Sequence, residues 1–202
     1  RWYIARSSLD KAEAHLRGRV DLKAPVVEPV FALIRFLAEH RSTAVAVEEL
    51  DKVIASGATT PIFRSARAGF LFDLGDREKA IADMRTVLES DSSADDARRI
   101  KMGLARMLTA TGKEDEAHKL VDEVLSEDSG AVEALKLKAT WFIRDDKVGD
   151  AISTLRQAID ESPNDASLMT LMAQAYERDG NRDLMREMLS LAVNASSPTC
   201  CS

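Results

Sequence analysis

The chain is poor in the residues that carry redox, metal and covalent chemistry. Its 202 residues include two cysteines, adjacent at Cys200 and Cys201, and three histidines, His15, His40 and His118. Two neighbouring cysteines give neither a metal-site spacing nor a disulfide framework. The histidines share no helix face with a cysteine or a carboxylate pair, so no metal ligand set is expected. There is no GxGxxG, P-loop, GxSxG or HExxH sequence, and so no cofactor is implied. Nothing groups a nucleophile with a base and an orienting partner. The expectation is a chain that is not an enzyme. Apolar runs stop well short of the roughly 20 residues a membrane span needs. Basic excess is lacking too: the net charge is -6 and the pI about 5.2. That disfavours a general nucleic-acid binder, which carries a basic face.

Aromatics make up 5% of the chain, with five prolines and nine glycines. So few breakers leave room for long helices, and the abundant Ala, Leu, Glu, Arg and Lys favour them. Comparing the chain with itself exposes a period of about 34 residues. Gly112, Ala117, Val121 and Val124 recur as Asp146, Ala151, Leu155 and Ala158, and again as Gly180, Met185, Leu189 and Ala192. Towards the N-terminus the pattern continues through Gly75, Ala80, Met84 and Val87, then Arg41, Ala46, Leu50 and Val53, and finally Ser7, Ala12 and Leu16.

Numbering each repeat from slot 1, the complete repeats are 27–60, 61–94, 98–131, 132–165 and 166–199. A partial repeat covers 1–26, and a short tail covers 200–202. Residues 95–97 fall outside the period, as an extra piece of turn or an early helix start. Asp95 and Asp96 suit a helix N-terminus. Small slot 8 holds Ala68, Ala105, Ala139 and Ala173, with Ile34 as a departure. Small slot 20 holds Ala12, Ala46, Ala80, Ala117 and Ala151, with Met185 as a departure. Slot 11 carries Tyr3, Leu37, Leu71, Leu108, Phe142 and Tyr176, and slot 28 is always aliphatic. Two small residues facing each other allow close helix packing, so each unit reads as a helical hairpin. Slot 7 departs from an apolar norm at Arg67 and Lys138, and slot 15 from glycine at Arg41 and Asp146.

These slots resemble the tetratricopeptide repeat (TPR) family over almost the whole chain. The resemblance implies an all-α fold, an α-α superhelix of antiparallel hairpins with roughly five and a half repeats, forming one solenoid over 1–199. The later repeats also resemble bacterial TPR proteins of the PEP-CTERM and exopolysaccharide-export lipoprotein type, which implies a bacterial cell-envelope location beside a cytoplasmic one. Signals upstream of Arg1 lie outside the sequence.

TPR proteins line a concave groove with the first helix of each hairpin, mainly through slots 2, 5, 9 and 12. Those slots place Phe31, Arg35, Gly69, Phe72, Arg99, Met102, Arg106 and Lys136 in the groove. Arg binds a carboxylate through two parallel hydrogen bonds, and aromatic and Met side chains supply desolvated anchors. The expected partner is a peptide or protein, and the arginines suit one that carries acidic groups. Gly69 would leave a dent in the wall. The chaperone-type carboxylate clamp is not expected, because slots 6 and 9 lack its asparagines. Slot 10 reads Trp2, Phe36, Phe70, Met107, Trp141 and Ala175. This ladder is expected to pack between hairpins, with a ligand-binding aromatic stripe as the competing reading.

The expected function is a non-catalytic protein-interaction scaffold. The alternative is a regulatory or targeting region of a protein whose enzymatic or export function lies outside this segment. Neither end of the array carries a polar capping helix, so the segment is expected to belong to a larger protein, or to pair through its ends as a homodimer.

Overall fold

A computed structural model describes residues 2–57, 61–89 and 93–196, and the side chains of 2–7 are outside that description. Eleven helices account for almost all of it: α1 (Trp2–Arg17), α2 (Val27–His40), α3 (Thr43–Ala55), α4 (Pro61–Asp73), α5 (Arg77–Leu88), α6 (Ala94–Ala110), α7 (Glu114–Glu127), α8 (Val132–Arg144), α9 (Val148–Glu161), α10 (Ala166–Arg178) and α11 (Arg182–Ser196). Among the described residues there is no strand. Consecutive helices pair as hairpins, α2 with α3, α4 with α5, α8 with α9 and α10 with α11. The calls on Cys200, Cys201 and the Trp2 and Tyr3 side chains lie outside the described residues.

The turn inside a hairpin has one repeated solution. Backbone N–H groups of Asp76, Lys113, Lys147 and Asn181 donate to the carbonyls of Leu71, Leu108, Phe142 and Tyr176, five residues back, at 2.8–2.9 Å. This closure consumes a helix-end carbonyl and needs a left-handed residue just before the donor. Gly75, Gly112 and Gly180 supply it with φ of 93°, 76° and 76°. Asp146 adopts φ 59° at the equivalent place, the one non-glycine residue with positive φ among those described. The two slot-15 departures therefore differ. Asp146 keeps the turn, whereas Arg41 leaves it with φ -118° and Ser42 caps α3 by accepting from the Val45 N–H.

Residues 95–97 are the early helix start. α6 begins at Ala94, and the Ser93 hydroxyl accepts from the Asp96 N–H at 3.2 Å. At the N-terminus, α1 runs unbroken through Ser7, where the repeat register would place a turn. Ser7 carries no glycine-like freedom, and nothing in the sequence there forces the helix to stop.

The chain divides into two compact units, Arg1–Met107 and Leu108–Ser202, with the divide inside α6. In the first unit the core is built from Val30, Leu33, Ile34, Leu37, Ala46, Leu50, Val53 and Phe63. In the second it comprises Leu135, Ala139, Ile143, Ala151, Leu155, Ala158, Leu168, Met172, Ala175 and Tyr176. The small slots do what small residues at a helix crossing must do: Ala46, Ala68, Ala80, Ala105, Ala117, Ala139 and Ala151 are all fully buried.

Arg67 and Lys138, the polar slot-7 residues, are explained by the helix before them. Arg67 donates to Asp51 of α3 at 2.7 Å and also bonds Asp83 of α5. Lys138 bonds Asp122 of α7 at 2.9 Å. Asp51 and Asp122 occupy slot 25 of the preceding repeat, so both pairs join the same two slots. Burial pushes the Arg67 guanidinium down, but the hydrogen bonds to Asp83 and Asp51 outweigh it and hold the group above its ordinary range. At slot 10 the structure shows inter-helix packing for Trp141. Trp141 is buried at 4% exposure with its ring 4.0 Å from that of His118, and so packs between α8 and α7.

Candidate functional groove

The first unit carries two adjacent pockets on its first-helix face. The larger, about 580 Å³, opens between α2 and α4. Phe31, Ile34, Ala66 and Phe70 make its apolar floor, and Arg35, Glu39 and Asp73 stand at its rim. The second, about 330 Å³, lies between α4 and α6, on Ile62, Ser65, Ile100 and Met107, with Asp96 and Arg99 beside it. Both volumes suit specific ligand or side-chain recognition. Gly69 lines both pockets.

Helical spacing explains the arrangement. Residues one turn apart share a face, so slots 5, 9 and 13 of α2 and α4 form one wall. The small residue at slot 6, Ala66, keeps the floor low. At Gly69 an added Cβ would have no heavy atom within 4 Å, so the wall is open there. Phe31 is steadied from below by fully buried Phe63, with ring centroids 5.9 Å apart. In the second pocket the Ser65 hydroxyl is buried without a hydrogen-bond partner among the described residues.

The rim is mixed in charge. Arg35 is exposed and makes no hydrogen bond or ion pair with any described residue. Arg99 is held by Asp96 at 2.5 Å, one turn away on its own helix. Glu39 and Asp73 sit at the C-terminal ends of α2 and α4, where the helix dipole adds to their negative field.

Of the residues expected in the groove, the structure brings Phe31, Arg35, Gly69 and Arg99 to the two pockets. Arg106 is exposed on α6 and already engaged in an interaction. Phe72 lines neither pocket, and the Arg77 guanidinium lies 5.5 Å from its ring centre. Met102 is 7% exposed and belongs to the core. Lys136 belongs to the second unit, where it bonds Glu133 at 3.2 Å and Asp165 at 3.3 Å. Asp165 in turn caps α10 through Ser167. The Ser167 hydroxyl bond, followed by the Ser167 backbone N–H and then Lys136, outweighs burial and holds the Asp165 carboxyl below its ordinary value.

Sequence reasoning missed Glu39, Asp73 and Ala66 as groove residues, whereas Ser65 stands at slot 5, one of the expected groove slots. The signal was available for the first two: both carboxylates occupy slot 13, one turn beyond slot 9. Phe70 and Met107 were legible only as members of the slot-10 ladder, and here they line the pockets. Among the described residues no group of three or more His, Cys, Asp or Glu could hold a metal ion, and no helix is long and apolar enough to cross a membrane.

Comparison with known proteins agrees with this architecture. Residues 70–132 match the tetratricopeptide repeat family model. No curated protein matches the sequence. A tetratricopeptide repeat protein from Parabacteroides merdae superposes over 98% of this chain and 77% of its own, with TM-score 0.70 and 17% identity. MamA from Desulfovibrio magneticus RS-1 superposes over 85% of this chain and 96% of its own, with TM-score 0.61 and 13% identity. YrrB, described as a TPR protein with an unusual peptide-binding site, superposes over 93% and 92%, with TM-score 0.53 and 13% identity. Residues 70–132 thus match tetratricopeptide repeats, and the fold as a whole is the helical-repeat fold of the solved TPR proteins.

Proposed function

We propose that this chain is a non-catalytic protein-interaction scaffold that holds a peptide segment of a partner in the groove along α2, α4 and α6. The observation that carries the reading is a pair of apolar pockets sharing the open position Gly69, with the exposed cation Arg35, unpaired among the described residues, at the rim. Buried apolar anchors give affinity, and a few polar groups set orientation. Arg35 takes a carboxylate of the ligand, and Glu39 with Asp73 takes a positive group at the other end. YrrB shows that the fold is used for peptide binding in another protein.

The reading is tested by selecting peptides from a random library against the full chain and measuring their affinity by fluorescence anisotropy. Arg35→Glu and Gly69→Phe are expected to weaken the selected peptides at least tenfold. Arg156→Glu, at an exposed position of α9 in the other unit, is expected to leave them unchanged. Equal binding by all variants would place the site elsewhere.

A further inference from the structure

The two pockets are staggered, and the stagger limits the shape of whatever spans them. On α4 the larger pocket uses Ala66, Gly69, Phe70 and Asp73, whereas the second uses Pro61, Ile62, Ser65 and Gly69. Their centres are offset by about five residues along α4, or ~8 Å at the helical rise of about 1.5 Å per residue. Across α4 they are offset by one helix spacing, about 10 Å for packed helices. Two perpendicular offsets of that size give a separation of about 13 Å.

A bound chain must put large side chains on one face at that distance. In an extended chain alternate residues share a face, so residues two apart lie about 7 Å from each other and residues four apart about 13 Å. A helix brings residues four apart to only about 6 Å and needs two full turns to span ~10.5 Å. The floor between the pockets is Gly69, where no side chain rises. A backbone can therefore lie low at the crossing, provided that its own residue there is small.

We infer that the groove selects an extended segment with large apolar side chains at positions i and i+4 and a small residue at i+2. The i and i+4 side chains fill the α2/α4 and α4/α6 pockets, and the i+2 residue sits over Gly69. This rests on the groove being the peptide site, and it adds the spacing and conformation of the ligand.

The test uses capped synthetic peptides of serine and alanine, each with one aspartate, one lysine and two phenylalanines. The phenylalanines are spaced two, three, four or seven residues apart. Anisotropy titration of the full chain is expected to show the four-residue spacing binding at least tenfold more tightly than the others, with that advantage lost in Gly69→Phe. Equal affinity at all spacings, or a preference for seven, overturns the extended register while leaving the groove as a peptide site. A four-residue preference that survives in Gly69→Phe moves the site away from α4 and overturns the inference. Absence of binding by every peptide in the set, while library-selected peptides still bind at the groove, also overturns the inference. If neither set binds there, the groove reading falls with it.

Discussion

Gly69 and Gly103 make a paired experiment, because local propensity treats them alike and the structure does not. Both lie inside helices of the first unit, Gly69 in α4 and Gly103 in α6. Replacing an interior helical glycine by alanine is worth about 1 kcal/mol of added stability. At Gly69 the new methyl meets no heavy atom within 4 Å, so Gly69→Ala keeps the whole gain. At Gly103 the new methyl would stand 2.9 Å from Met84 Cε, which must move. Met84 is only 3% exposed, so it moves within a packed core, where overpacking costs about 1–3 kcal/mol. The flexible thioether holds the cost near the lower end. Gly103→Ala is therefore expected to be neutral or destabilising by up to ~1 kcal/mol. With an m-value of about 2–3 kcal/mol/M for urea, Gly69→Ala raises the midpoint by about 0.3–0.5 M and Gly103→Ala does not raise it. Circular dichroism at 222 nm during urea titration reads both. Equal gains in the two variants would refute the close approach of α5 and α6, and a loss in Gly69→Ala would refute the open wall.

Three further outcomes are expected. Asp146→Gly relieves a left-handed residue that costs about 1–2 kcal/mol and should raise the thermal midpoint by a few degrees; a lower midpoint would mean that the φ of 59° is not a strained state. Trp141→Ala should cost about 3–5 kcal/mol, because the ring is buried against His118; unchanged thermal stability would count against its place between α7 and α8. Stability should also fall on acidification. Burial pushes the Glu49 carboxyl up, but hydrogen bonds from Arg17 at 2.7 Å and Lys52 at 3.0 Å leave it below its ordinary 4.5. Arg17 and then Arg41 lower Glu13 in the same way. A carboxyl lowered in the folded state stabilises fully above its unfolded value and loses that contribution as pH falls below it. Urea midpoints between pH 5 and pH 3 should therefore drop, and less steeply in Glu49→Gln; identical slopes would remove Glu49 from the account.

How much was legible follows from what each residue needs. The small residues at slots 8 and 20 were legible, because a helix crossing leaves them no alternative, and from Ala46 to Ala173 they are buried, whereas Ala12 at the N-terminal end is half-buried. Phe31, Arg35, Gly69 and Arg99 were legible because slot position fixes the face a helical residue occupies. What it does not fix is how that residue is used. Phe72 turns under Arg77, and Lys136 is engaged by Asp165, the N-cap of α10. Such pairings depend on neighbours about 5 and 29 residues away in the chain, whose distance in space no repeat pattern reports. At the N-terminus the register and the helix part company. The register asks for a turn near Ser7, but a register records what recurs, and α1 departs from it.

The ion pairs between slot 25 and the following slot 7 act as an address. Asp51 precedes Arg67 and Asp122 precedes Lys138, whereas Arg85 precedes Leu104 and Arg156 precedes Met172 at the same slots. In a stack of near-identical hairpins, any hairpin could in principle follow any other. Here, moving the hairpin that carries Arg67 behind Arg85 or Arg156 would set two guanidinium groups against each other. The order of hairpins is thereby written into charge as well as into chain connectivity, so a shuffled or domain-swapped array would be penalised at the joints where the order is wrong.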